Sequence, residues 1–438
     1  MSHERRAFLK TAGVFAISGG ASRILGANDR VNIGVIGIGG RGTGHVKTWA
    51  VTPQVRVTAL CDVNQAARER GVALIEQATG SKPQEFIDMR KLFESKDVDA
   101  VSMATPNHWH ALGTIWGCQA GKDVYVEKPA SHNVFEGRKM IEAARKYNRM
   151  VQVGSQSRSS PRIQKAMQLL SEGVIGKVYM SKGLCYKRRK SIGHTPDQPV
   201  PPGVNWDLFL GPAPMRPFSM NHFRYNWHWF WDTGNGDIGN QGIHQMDIAR
   251  WGLGRDLPTA VVSTGGKYVY DDDQETLNTQ IAALDYGDAE LVFEVRGLMT
   301  DGEGSLNPPI GITVGNLFWG SDGYMLVGGD GFKVYKGEGR ELVMDEKAER
   351  SPRGATAQPQ PHFLNFIDAV RARDHKLLNA EVEIGVRSVV LVHVANISYR
   401  LKRRLEFDPT TWKFRGDQEA NQMLTRHYRA PYVVPDNV

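Results

Sequence analysis

Val31-Asn-Ile-Gly-Val-Ile-Gly37-Ile-Gly39-Gly40-Arg41-Gly42 is the stretch whose reading decides the fold. A short β-favouring run enters Gly37-x-Gly39-x-x-Gly42, the strand, tight turn and helix start of a dinucleotide-binding unit. The first glycine permits the turn and the second lets the backbone approach a pyrophosphate. The third lets the helix pack closely on the strand, with its N-terminus facing the phosphates. A second strand, Val55 to Asp62, ends in a carboxylate about 20 residues past the last glycine, where a ribose 2′-hydroxyl would be met. Asp62 therefore favours NAD and makes NADP less favoured, because a carboxylate repels a 2′-phosphate. Arg41 weakens that preference unless it lies on the pyrophosphate.

Outward from this turn, strands and helices alternate to about Ser157. Asp99–Thr105, Asp123–Val126 and Met150–Val153 are continuous apolar runs, so the expected sheet is parallel and covered on both faces. Ligands on such sheets collect beyond the carboxyl ends of the strands. Thr105-Pro-Asn107-His108 and Glu127-Lys128-Pro129 fall at those ends, as does the glycine turn. Thr105, Asn107 and His110 are expected to line the same pocket. Ser160-Pro161 then opens a helix. Beyond it, strands at 177–186, 259–270, 276–284, 289–297, 317–319, 323–327 and 331–335 predict a large open sheet, mostly antiparallel, with one face free. Residues 338–361 read as a surface excursion, 362–373 and 381–400 as helices. The expected division is 1–30 signal and linker, 31–157 Rossmann domain, 158–405 α/β domain for substrate and oligomerisation, and 406–438 an irregular tail.

The chain has 438 residues and a formal charge of +7. Part of that excess lies in the first 27 residues, where Arg5, Arg6, Lys10 and Arg23 face one acid, Glu4. Elsewhere only Lys187-Arg-Arg-Lys190 is densely basic, so nucleic-acid binding is not indicated. The three cysteines are far apart in apolar stretches and read as small core residues. No His, Asp and Glu spacing suggests a metal. Glu4-Arg5-Arg6-Ala-Phe-Leu-Lys10 and the weakly apolar run to Ala27 look like a twin-arginine export signal, implying a periplasmic protein exported folded, with no membrane insertion after processing. In a compartment without a nucleotide pool, the cofactor would be held tightly.

Asn221 to Trp231 is unusually rich in aromatics. Tyr225 and Trp227 are expected to stack on sugar rings and Arg224 or His228 to bind hydroxyls or acidic groups, while Lys187, at the end of a strand that should approach the site, suits an anionic sugar. Farther on, Asn240, His244 and Asp247 fall at i, i+4 and i+7 of an expected helix.

The glycine turn, Glu127-Lys128-Pro129 and His244-x-x-Asp247 together resemble the Gfo/Idh/MocA family, relatives of glucose–fructose oxidoreductase and inositol dehydrogenase, over residues 31 to 405. The resemblance implies NAD(P), a sugar or polyol substrate, and a homodimer or homotetramer. It implies that Lys128 and His244 handle the proton of the hydroxyl being oxidised, and that Glu127 orients Lys128 or touches the nicotinamide ribose. Relatives carry a carboxylate where this chain has Asn240. An amide cannot take a proton, so Asp237 or Asp247 is expected to substitute. Three functions are compatible with this pattern: an NAD-dependent sugar oxidoreductase, a redox-neutral NAD-dependent glycosidase, and a non-catalytic sugar-binding protein, which Asn240 would favour.

Overall fold

The computed structural model describes residues 30–300, 313–329, 331–347 and 358–438; the expected export signal lies outside them. Six short strands open the chain: β1 (Val31–Ile36), β2 (Val55–Cys61), β3 (Gln84–Phe86), β4 (Ala100–Met103), β5 (Asp123–Val126) and β6 (Val151–Val153). They pair in parallel in the order β3-β2-β1-β4-β5-β6. Helices α1 (Gly40–Val51), α2 (Gln65–Thr79), α3 (Met89–Phe93), α4 (Asn107–Gln119) and α5 (Val134–Lys146) link them. β4 and β5 are buried along their whole length, which is why they read as unbroken apolar runs. The strand order reverses between β1 and β4, and such a switch point opens a crevice above the strand ends.

The chain then runs through a 3-10 turn, Gln156–Ser159, and α6 (Pro161–Ser171) into β7 (Val178–Cys185). Next come α7 (Trp206–Leu210), α8 (Gly236–Asn240) and α9 (Gly242–Leu253). Seven strands follow: β8 (Ala260–Gly266), β9 (Thr279–Asp285), β10 (Glu290–Arg296), β11 (Val314–Gly320), β12 (Gly323–Gly328), β13 (Gly331–Lys336) and β14 (Glu341–Lys347). Helices α10 (Pro361–Ala372) and α11 (Val382–Leu401), strands β15 (Leu405–Asp408) and β16 (Lys413–Phe414), and α12 (Gln418–Gln422) complete it. The second sheet has ten strands, ordered β14-β13-β12-β11-β7-β10-β9-β8-β15-β16. Among the described residues of this sheet, only β7 and β10 pair in parallel. The expected α/β class, a parallel sheet plus a large mostly antiparallel one, is the fold observed. Where a surface excursion was expected, β14 instead adds an edge strand, and part of the expected tail forms β15, β16 and α12.

α9 lies on the centre of this sheet because glycines let it come close. A Cβ at Gly242 would stand 2.4 Å from the Phe293 ring, and one at Gly252 2.3 Å from Phe318. The far face leaves Val262 and Ile281 exposed. α11 is apolar on almost every side because it is packed against both α5 and α9 as well as β8. It is long and apolar enough to cross a membrane by composition, yet 78% of that stretch is buried in the protein.

Two late segments return to the parallel sheet. α10 buries Phe363, Phe366, Ile367 and Val370 with Val31, Val35, Trp49 and Tyr125. Tyr125 stacks on Phe363 at 4.7 Å. Such side chains stabilise by about 1.5–3 kcal/mol each when fully buried. The end of the chain is a strap: Arg426 donates to His132 and to the Asp232 carbonyl. Arg429 and Tyr432 both hold Asp207. The strap thus ties the helix layer of the first sheet to the 199–232 loop, which carries the aromatic cluster.

Candidate active site

Above the β1/β4 switch lies a cleft of about 670 Å³ with one wall from each sheet unit. Gly37, at φ +79°, makes the turn that an L side chain resists. At Gly42 a Cβ would stand 1.7 Å from the Gly37 carbonyl oxygen, so α1 can pack here only on a glycine. Gly39 and Gly40 have nothing within 4 Å of where a Cβ would be, and both line the cleft. Closed on one side and open on the other, the loop has the form a pyrophosphate cradle needs.

Asp62 ends β2 at the cleft edge. Its carboxylate accepts from the backbone N–H groups of Ile38 at 2.6 Å and Asn64 at 2.8 Å, tying the second strand to the glycine turn. Burial raises its pKa against those hydrogen bonds. Thr105 and Asn107 also face the cleft. The Thr105 hydroxyl and the Asn107 side-chain oxygen are buried with no hydrogen-bond partner among the described residues. Orphaned polar atoms of this kind call for a ligand or water. With the open glycine loop, they fit a nicotinamide dinucleotide.

His110 is buried, with ring nitrogens 2.7 Å from the Pro129 carbonyl and 2.9 Å from that of Thr105. It braces the two strand ends that carry the site. Arg41 lines the cleft, and its Nε donates to Glu127 at 2.8 Å. His45 and Gln156, which the sequence reading passed over, donate to the same oxygen, each at 2.9 Å. Burial alone would raise the Glu127 pKa. The hydrogen bond from His45 and the charge of Arg41 outweigh it and hold the carboxyl well below its usual range. Glu127 is therefore a fixed anion beside Lys128.

Lys128, joined to Pro129 by a cis bond, reaches across the cleft. Its Nζ donates to the backbone carbonyl of Asn240 at 2.7 Å. Burial lowers its pKa; Glu127 and Asp237 oppose this, while Arg41 and Arg189 reinforce it. The helix expected from Asn240 onward is broken: α8 ends at Asn240 and α9 starts at Gly242. That break leaves the Asn240 carbonyl free of the helix ladder for Lys128. The Asn240 amide donates to the Tyr225 hydroxyl at 2.9 Å and to Asp237 at 3.3 Å.

The remaining expected residues separate. Arg224, Tyr225, Trp227 and His228 line the cleft with Asn240. His228 stacks on Trp227 at 3.6 Å, and burial lowers its pKa to about 3. Asp237 lies behind Asn240, gripped by Arg189. His244 is half-buried and does not line the cleft. Burial, then the charge of Lys128, lower its pKa to about 3 and keep its ring neutral. Asp247 does not stand in for the missing carboxylate: both its oxygens bond Arg158 and one also accepts from Ser388, away from the cleft. Lys187 is exposed and outside the cleft lining; within the basic run Arg189 turns inward instead. The run itself was the signal for Arg189, but nothing local marks which member faces in. Among the described residues no group of His, Cys, Asp and Glu could hold a metal.

Comparison with known proteins follows this division. Residues 31–155 match the Gfo/Idh/MocA model described as an oxidoreductase family, NAD-binding Rossmann fold. Residues 162–285 and 322–434 match its C-terminal alpha/beta domain. A glycosyl hydrolase family 109 protein of Saccharopolyspora erythraea is 26% identical over 218 residues, which is 48% of this chain but only 42% of that relative. Inositol 2-dehydrogenase 2 of the same organism is 27% identical over 296 residues, 65% of this chain and 75% of the relative. The WlbA dehydrogenase of Bordetella pertussis, solved with NADH and UDP-GlcNAcA, superposes with a TM-score of 0.63 at 20% identity, covering 86% of this chain and 99% of that one. Levoglucosan dehydrogenase, solved with NADH and levoglucosan, gives a TM-score of 0.64 at 16% identity, with coverage of 86% and 99%. At these identities the structural likeness establishes the shared fold.

Proposed function

The chain belongs to the Gfo/Idh/MocA oxidoreductase family, and from that premise we propose that it oxidises a hydroxyl-bearing carbon of a sugar or sugar derivative with NAD. The observation that carries this reading is the Lys128 amino group, bonded to the Asn240 carbonyl and within the field of the fixed Glu127 carboxylate, in the cleft shared by the glycine loop and the aromatic wall. NAD, when bound, supplies the hydride acceptor. In its neutral form Lys128 takes the hydroxyl proton, a task suited to an amine whose pKa is lowered by burial. Glu127 accepts from the Lys128 backbone N–H and so holds the strand end that carries the amine. Tyr225, Trp227 and His228 offer flat faces to a sugar ring, with Arg224 exposed at the lip. His244 is neutral and close enough to feel the charge of Lys128.

A second reading is favoured by the family 109 relatives: a glycosidase that oxidises the sugar transiently, eliminates the leaving group, adds water and returns the hydride. Native mass spectrometry of the purified chain, followed by assays on free sugars and on p-nitrophenyl glycosides, separates the two. NADH accumulation with free sugars supports the first. Nitrophenol release without net NADH supports the second. A chain that carries and binds no nucleotide sinks both. The leader further supports twin-arginine export to the periplasm, to be tested by fusing residues 1–29 to a reporter. The open sheet face supports a homodimer or homotetramer, to be tested by sedimentation.

A further inference from the structure

Arg189 belongs to no motif, yet its position is tightly specified. Its backbone N–H donates to the Gly297 carbonyl, and its guanidinium lies 5.4 Å from the centre of the Trp229 ring. From there it grips Asp237 with two hydrogen bonds, of 3.0 and 2.7 Å, and donates to the Tyr225 hydroxyl at 3.2 Å. The Asp237 side chain is 2% exposed and that of Arg189 16%. Forked pairs of this kind fix orientation as well as charge. Asp237 in turn accepts from the Asn240 amide, and the Asn240 carbonyl accepts from Lys128.

Position 240 must therefore donate toward Asp237. An aspartate there would set a second carboxylate against the Asp237 oxygen that now lies 3.3 Å from the Asn240 amide, an arrangement in which both groups do not ionise together. Asn240 and Asp237 are matched to one another.

We propose that Arg189 and Asp237 act as one positioning unit for Lys128, the guanidinium fixing the carboxylate, the carboxylate fixing Asn240, and Asn240 fixing the amine. This rests on Lys128 being the group that handles the proton. The charged groups facing Lys128 are Glu127 and Arg41 from the first domain and Asp237 and Arg189 from the second. The neighbouring imidazoles, His110, His228 and His244, are all kept neutral by burial. The pair thus adds no net charge to the cleft while supplying direction.

The test needs no substrate. Lys128 in the full-length chain is acetylated with acetic anhydride across a pH series, and the modified peptide is quantified by mass spectrometry. Arg189→Gln leaves Asp237 uncompensated and moves the Lys128 midpoint up by about one unit; Asp237→Asn moves it down by about one unit. The charge-neutral double variant R189Q/D237N returns it to within about 0.3 unit of the parent, but with the fork gone the amine is no longer held and its plateau acetylation rate above the midpoint rises; a plateau rate equal to the parent's overturns the positioning role. Single variants that shift it in the same direction, or not at all, overturn the proposal. So does a double variant displaced as far as a single one, which decides the matter even if one single variant does not fold. Loss of the sugar-oxidation reading would show as missing activity with this titration pattern intact.

Discussion

Two buried arginine–carboxylate pairs are built on one stretch of chain and do different work. Asp247, midway along α9, bonds Arg158 from the turn after β6 and Ser388 from α11. Its side chain is 1% exposed and that of Arg158 7%, with the guanidinium 4.6 Å from the centre of the Trp251 ring. This pair locks α9 between the two sheet units. Ten residues earlier, Asp237 bonds Arg189, and that pair faces the cleft through Asn240. The same chemistry, an acid and a fork of donors, is an anchor at one end of the segment and a positioning device at the other. What separates them is the third donor. Both carboxylates put both oxygens on an arginine, but Asp247 also accepts from Ser388 in the core, whereas Asp237 also accepts from Asn240, whose carbonyl bonds Lys128.

The contrast can be broken by mutation. Lys128→Ala should lower kcat/KM by about 10³-fold while melting temperature and bound nucleotide are retained, since a positioned proton-transfer group contributes about 10²–10⁴; steady-state kinetics with native mass spectrometry checks it. Asp247→Ala should act on stability instead, costing about 3–5 kcal/mol because Arg158 is left buried and unpaired, as read from urea unfolding. An enzyme that stays as stable as the parent but loses activity would reverse the assignment of the two pairs. Gly42→Ala, which forces α1 off the Gly37 carbonyl, should cost about 2 kcal/mol and loosen the nucleotide, as seen by denaturation and by NADH titration.

The smallest effect lies in the acid limb of stability. For Asp247, the paired arginine and its hydrogen bonds outweigh burial and hold the pKa below the usual 3.8. Its folded value is below its unfolded one, so its contribution is fully present above that pH and is lost as pH falls through the folded value. Asp247→Asn should flatten unfolding free energy against pH below about 4 by up to about 1.4 kcal/mol per unit. Lys128 carries the opposite sign: its pKa is also lowered, but the charged form is the one disfavoured. That disfavour persists below the folded value and is relieved as pH rises toward 10.5.

Much of the first domain was legible because its signals are local. Gly37, Asp62 and Lys128 each sit at a strand end, and Gly42 in the first turn of α1, all within short windows whose periodicity is visible. The second wall was less so. The Trp and His cluster marked the right loop, but Asp247 stood out by helical spacing from His244, and spacing cannot report that Arg158, 89 residues away, already claims it. Lys187 and Arg189 share one basic run, and only the packing of Trp229 and Asp237 decides which turns inward. His45 and Gln156 carry no motif; they converge on Glu127 across 82 and 29 residues of chain.

The amino-acid order by itself determined the doubly covered parallel sheet, the phosphate-cradling turn and the lysine at its rim, because apolar periodicity and glycine placement act over a few neighbouring residues. The tertiary structure alone decided which carboxylate serves the cleft and which serves the core. That choice depends on partners brought together from distant segments: an arginine far away in sequence holds each carboxylate, and the identity of the remaining donor, Ser388 or Asn240, decides whether it serves the core or the cleft.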